Sequence, residues 1–292
     1  HLVHFLAYVA VLVALPHQLS TSQMFAAGTW ARYYWMLLYL GVAAALLVYR
    51  FIIPIVRSLR HGLRVTGVRA EGPGVYSIEM TGRSLDDLGA RGGQFFIWRF
   101  WSGGLWWHAH PFSLSAAPGA TSLRITVREL GNGTRSIDAL PIGTRVSIEG
   151  PYGLFTDRAR TTSRTVAVAA GIGITPILSL LETGDFAPGE VTVIVRAPNE
   201  HKLFLFEELR DLCAIRSIPL HVFLGPRPRS GHNSWLPARE SQRGVSLSTI
   251  VSDVRDADLF VCGPRRWTDL VIDDAKRAGI SKFRIHYERF SW

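Results

Sequence analysis

The hydrophobic pattern of this chain changes period once, across residues 157–163, and that single change restricts the fold more than any other feature. Beyond it, short apolar runs at 166–170, 191–195, 220–224 and 259–262 alternate with helix-patterned stretches such as 203–215 and 267–278. Strands that are apolar on both faces and separated by helical crossovers specify a doubly wound parallel sheet with helices on each side. Ahead of it, from Leu63 to about Thr156, runs at 75–80, 94–100, 122–129 and 145–149 alternate between apolar and polar, with Gly and Pro at the turns. No long helical pattern interrupts them, so a small antiparallel β-barrel is expected. The chain is read as multi-domain: an apolar segment 1–61, a barrel 62–157 and an α/β domain 158–292.

Within the first segment, residues 2–15 are apolar apart from His4. Residues 34–56 form a full-length apolar run, with Tyr33, Tyr34 and Trp35 at one end and Arg50, Arg57, Arg60 and Arg64 at the other. About 20 apolar residues cross a bilayer, and basic residues stay on its cytoplasmic side. Two transmembrane helices are expected, the first running outward and the second inward. That makes a multi-pass cell-membrane protein in contact with membrane lipid, its later domains cytoplasmic. The chain begins inside an apolar run without Met and reads as the later part of a longer protein. His4 and His17 lie 13 residues apart, roughly 20 Å along a helix. Imidazoles there either ligate haem iron at two depths or pack, His4 against a neighbouring helix and His17 at the outer interface after Pro16.

Charge narrows the partners. The net charge is +9, but Arg124, Arg128, Arg145, Arg164, Arg196 and Arg255 are scattered rather than grouped on one face, which argues against nucleic acid. Lipid headgroups and phosphorylated cofactors are the expected counter-charges. Two cysteines, Cys213 and Cys262, cannot build a disulfide framework, a four-thiolate cluster or a zinc site of ordinary spacing.

Four short motifs carry chemistry. Gly171-Ile172-Gly173-Ile174-Thr175-Pro176 follows the first buried run; its glycines permit close approach of a pyrophosphate, or simply a strand–helix turn. Cys262-Gly263-Pro264 closes a later strand at the edge where such sheets bind ligands, so the thiol lies beside a nicotinamide or is only a small buried residue. His110-Pro111-Phe112-Ser113 offers a ring for stacking and a hydroxyl for hydrogen bonding. Gly131-Asn132-Gly133-Thr134-Arg135-Ser136 is either a second phosphate site or a hairpin turn.

Taken in order, Gly93-Gln94-Phe95, His110-Pro111-Phe112-Ser113, Gly150-Pro151-Tyr152-Gly153, Gly171-Ile172-Gly173-Ile174-Thr175-Pro176, Cys262-Gly263-Pro264 and Glu288-Arg289-Phe290 resemble the ferredoxin–NADP reductase-like flavoproteins. The resemblance is greatest to their membrane branch, the NADPH oxidases and ferric-chelate reductases. It implies an FAD-binding barrel followed by an NAD(P)-binding α/β domain. His110, Pro111, Phe112 and Ser113 would hold FAD, and Gly133, Thr134 and Arg135 its pyrophosphate. Gly171, Gly173, Thr175 and Pro176 would form the nicotinamide nucleotide's phosphate turn, with Gly263 and Pro264 nearby. Cys262 would sit beside the nicotinamide, Glu288 would be a further catalytic residue, and Phe290 or Trp292 would cover the flavin. His4 and His17 would ligate haem b in the intact protein, with partner histidines on an earlier helix. Arg196, and after the next strand Arg227 and Arg229, could meet a 2′-phosphate, favouring NADPH over NADH.

The expected activity is hydride transfer from NAD(P)H to FAD, followed by single electrons passing through haem across the membrane to dioxygen or a ferric chelate. The rival reading is a haem-free, membrane-tethered reductase feeding a ferredoxin or a partner electron-transfer protein.

Overall fold

A computed structural model of the chain describes residues 2–21, 28–103, 105, 108–129, 131, 137–228 and 234–290, and within 2–21 the side chains at 6, 7, 9–11, 13, 14, 17, 20 and 21. It divides into two compact units, His1–Arg57 and Ser58–Trp292.

The first unit is helical. Helix α1, Leu2–Thr21, runs through Pro16 and so outlasts the expected run 2–15. Helix α2, Trp30–Leu47, starts at Thr29, whose hydroxyl accepts the Arg32 N–H at 3.4 Å, and none of its side chains is buried. A π-helical stretch, Val48–Ile52, leads into α3, Ile53–His61. Pro54 lacks an N–H and its ring presses on the carbonyl four residues back; the widened turn contains that residue, Arg50. Trp30–His61 is thus one helix of 32 residues, and among the described residues it alone is long and apolar enough to cross a membrane. Two such helices were expected from the sequence.

In the second unit, Gly62 ends α3 in the left-handed region (φ +53°), its N–H on the Ser58 carbonyl at 2.9 Å. Six strands follow: β1 Arg64–Gly72, β2 Val75–Thr81, β3 Phe95–Phe100, β4 His110–Ser113, β5 Ser122–Arg128 and β6 Val146–Tyr152. They form two antiparallel three-stranded sheets, β1-β2-β5 and β4-β3-β6, joined by bridges between Arg64 and Arg145 and between Leu114 and Ile125. Alternation does the sorting: Phe96, Trp98 and Phe100 of β3 are fully buried, while Phe95, Ile97 and Arg99 are not. With Ile78, Met80, Leu114 and Ile125 they fill the barrel, each stabilising it by about 1.5–3 kcal/mol relative to exposure.

The α/β region comprises β7 Thr165–Ala170, α4 Ile174–Thr183, β8 Val191–Ala197, α5 Phe206–Ile215, β9 Leu220–Leu224, α6 Ala238–Gln242, α7 Leu247–Ile250, β10 Asp258–Pro264, α8 Arg265–Arg277 and β11 Ile285–Phe290. All sheet pairings are parallel, in the order β11-β10-β7-β8-β9. Every residue of β7 is buried because helices cover both faces: Ala167 and Ala169 join the core beneath α4, Val166, Val168 and Ala170 the core beneath α8. The sequence reading anticipated neither β1 nor β11, and it began α5 three residues early. Leu205, at φ +51°, interrupts that pattern and makes Phe206 the first helical residue.

Candidate functional site

In the strand order β11-β10-β7-β8-β9, the chain leaves β7 toward β8 on one side, while β10 lies on the other. The crevice at the carboxyl ends of β7 and β10 is therefore the switch point of the sheet, where such sheets bind ligands. Two of the motifs meet there. Gly171–Gly173 forms a short turn off β7 that runs directly into α4. Gly171 sits at φ +58°, and a Cβ on it would meet nothing within 4 Å. Gly173 is closed in, since a Cβ there would overlap the Cys262 carbonyl on β10. One glycine thus leaves space for a ligand, and the other lets two strand ends approach. Thr175 and Pro176 are buried in the first turn of α4, the Thr175 hydroxyl on the Ile172 carbonyl at 2.9 Å. No side chain caps that helix, and the Ile174 N–H is taken by the Gly171 and Ile172 carbonyls of the turn itself.

Cys262 is fully buried, and burial, with the Glu288 charge second, pushes its thiol well above the ordinary range. It lies in register with Ala169 on β7 and with Glu288 on β11. Gly263 packs its backbone against the Trp267 ring, and Pro264 precedes α8. Glu288 accepts the Ser113 hydroxyl at 3.2 Å, which carries the barrel's His110–Ser113 strand to the switch point. Burial pushes the Glu288 carboxyl up to about 7, and the Ser113 hydrogen bond opposes that rise. Phe290, on the same face of β11 as Glu288 by strand alternation, is half-buried against the core that contains Cys262.

On β4, His110 stacks on Phe112 with ring centroids 5.5 Å apart and planes 13° from parallel. Its Nε2 is buried and has no hydrogen-bond partner among the described residues, and burial, then His108, lowers its pKa. Pro111 is exposed opposite Ile97, and the Phe112 carbonyl accepts the Trp98 indole N–H at 2.9 Å. An unsatisfied imidazole nitrogen beside an available ring face fits a polar aromatic cofactor.

Arg196 ends β8. Its guanidinium is buried, donates to the Gly225 carbonyl at 2.6 Å, and keeps an Nε without a partner among the described residues. Burial, then Arg227, lowers its pKa, and two adjacent cations fit an anionic group. The expectations for Gly133, Thr134, Arg135, Arg229, Trp292 and the His4 side chain fall outside the described residues. His17 is exposed on α1.

Two networks escaped the sequence reading. Glu208 of α5 receives Arg124 of β5 at 2.6 Å and Arg69 of β1 at 2.8 Å, clamping barrel to sheet. Asp258, fully buried, accepts His286 Nε2 at 2.9 Å and the backbone N–H groups of Thr161 and Thr162 at 2.8 and 2.7 Å. Burial opposes its ionisation, but these donors hold its carboxyl below the ordinary value. Partners so distant in sequence leave no local signal.

A barrel followed by this sheet is the fold of the ferredoxin–NADP reductase-like FAD/NAD-binding flavoproteins. Among solved structures, the FAD/NAD-binding domain of a nitric oxide dioxygenase from Vibrio cholerae superposes with a TM-score of 0.62 at 20% identity, covering 79% of this chain and 99% of that one. Ferredoxin–NADP+ reductase from Plasmodium falciparum superposes with a TM-score of 0.61 at 17% identity, covering 78% and 95%. The chain is similar to the flavohemoprotein of Rhizobium meliloti, 28% identical over 61% of this chain and 47% of that protein. It is likewise similar to the ferredoxin reductase component of a 3-ketosteroid-9-alpha-monooxygenase from Rhodococcus rhodochrous, 28% identical over 70% and 57%. It spans about half the length of these curated relatives. No protein-family model matches it.

Proposed function

We propose that the chain is an FAD-dependent reductase that takes a hydride from NAD(P)H and passes electrons singly to a ferredoxin or another partner protein, held at a membrane by Trp30–His61. The observation that carries this reading is the convergence of Ser113, Cys262, Glu288 and the Gly171–Gly173 turn at one switch point. Relatives named as ferredoxin reductase components of monooxygenase systems support a donor that serves a separate acceptor. The net charge of +9 suits an acidic one.

Bound FAD would supply the hydride acceptor and the change from two-electron to one-electron transfer. His110 and Phe112 would hold its ring system and Ser113 its polar edge. Gly171 and the start of α4 would take the coenzyme pyrophosphate, and Arg196 with Arg227 the 2′-phosphate of NADPH. Glu288, titrating near 7, can take up or release a proton at its carboxylate, with the Ser113 hydroxyl as relay into the barrel. Phe290 excludes water from the edge of the crevice.

A second reading, transfer through haem to dioxygen or a ferric chelate outside, is favoured by one observation: His4 and His17 both lie on the continuous helix α1. Absorption spectra of the detergent-purified protein with added FAD, before and after anaerobic NADPH, test both. Bleached flavin bands without a haem band support the proposal, and a haem band that is reduced in turn supports the second reading. A folded protein that stays colourless with FAD overturns both.

A further inference from the structure

The end of the barrel at which α3 arrives carries an aromatic and cationic patch that the reaction does not use. Trp101 is 54% exposed and Ile142 65%. The Trp101 N–H donates to the Arg145 carbonyl at 2.9 Å, and its indole nitrogen to Ser147 Oγ at 2.7 Å. Ser147 Oγ also shares a hydrogen bond with Ser58 Oγ at 2.8 Å, so the patch adjoins the helix end. Ile142 projects from the turn that precedes β6, and the Gly143 carbonyl in that turn accepts Arg64 Nη1 at 2.9 Å. Arg64 and Arg145 are both exposed and bridged to each other, and neither meets a carboxylate among the described residues. Large apolar side chains left in water beside unneutralised guanidinium groups match a bilayer interface, where indole and alkyl groups enter the headgroup boundary and arginines meet phosphate.

We propose that this face is a second membrane contact, in which Trp101 and Ile142 enter the interface while Arg64 and Arg145 bind the phosphates of anionic lipids. The inference rests on reading Trp30–His61 as a membrane helix. Given that helix, the tether to the barrel is short. Val56, the end of the apolar run, and His61 are five steps apart in helix α3, a rise of about 7.5 Å. The headgroup layer on each side of the hydrocarbon core is about 5–8 Å thick. The stretch of chain between the apolar run and the barrel is thus about as long as the headgroup layer is thick.

The test uses the full chain carrying Ile142→Cys, labelled with an environment-sensitive fluorophore; the native Cys213 and Cys262 are buried and leave position 142 as the reactive thiol. Reconstitution into phosphatidylcholine vesicles with and without phosphatidylglycerol, plus a nitroxide headgroup lipid, reads proximity as quenching. Quenching at 142 is expected to exceed about threefold that of the same label on Ile215→Cys, an exposed position on α5. Arg64→Gln and Arg145→Gln should each lower the docked population about fivefold in the anionic vesicles and leave flavin content unchanged. Equal quenching at 142 and 215, in protein that resists alkaline extraction, would overturn the proposal while the membrane helix stands. Protein that alkaline washing strips from the vesicles would sink both.

Discussion

Ser113 of the barrel and Glu288 of β11 are hydrogen-bonded, Oγ to Oε2 at 3.2 Å, across 175 residues of chain. The bond joins two domains through a carboxyl that burial raises to about 7, so it couples domain docking to protonation.

That coupling has a pH signature. Glu288 titrates near 7 in the folded protein against an ordinary value of 4.5, so its contribution to stability is fully present below pH 4.5 and is lost as pH rises through 7. The loss amounts to about 3 kcal/mol over that interval. Thermal melts of wild type should fall between pH 5 and 8 more steeply than those of Glu288→Gln. Parallel curves would remove Glu288 as the titrating group.

The two glycines of the turn should fail differently. Gly173→Ala forces a methyl into the Cys262 backbone and should cost about 2–3 kcal/mol of stability. Gly171→Ala meets open space and only the strain of its positive φ, about 1 kcal/mol. Its effect should appear instead as a raised KM for NAD(P)H with the melting temperature nearly kept. Steady-state kinetics and calorimetry on the pair separate the outcomes.

Coenzyme choice should depend on Arg196. Arg196→Ala removes a charge-assisted contact to a 2′-phosphate and is expected to raise the KM for NADPH about tenfold or more, with that for NADH little changed. Equal losses with both coenzymes would assign Arg196 to the fold alone, through its bond to the Gly225 carbonyl.

Glu208→Ala should loosen barrel from sheet. It leaves the largely buried Arg124 without its carboxylate, at a cost of about 1–2 kcal/mol. Burial works against the Glu208 charge, but Arg124 and Arg69 hold its carboxyl below the ordinary value, so this stabilisation is present above that value and lost as pH falls. A double-mutant cycle with Arg124→Ala, read by chemical denaturation, should return a coupling close to the single-mutant cost.

Sequence alone gave access to features with a local period or a local exception. The all-apolar run of β7 announced a two-sided strand, and the alternation of β3 announced a half-buried one. Gly171 was legible as a turn because few other residues adopt its φ. Strand β1 was hidden by Thr66 and Gly67, which break its alternation, and β11 by His286, Glu288 and Arg289, which make a sheet strand look like surface. Asp258 and Glu208 carry no local signal in the sequence. Their partners arrive from the linker, from β11 and from the barrel, and only packing places them together.

Strand β11 is the last of the sheet to leave the ribosome, and it pairs only with β10. Before it arrives, the barrel, the glycine turn and Cys262 can all be in place while Ser113 faces no carboxylate and the Asp258 carboxylate lacks its imidazole. A chain interrupted during synthesis ahead of Ile285 would therefore have most of a coenzyme crevice without the groups that complete it. On the proposed function, such a fragment is expected to oxidise NAD(P)H poorly even where it still folds.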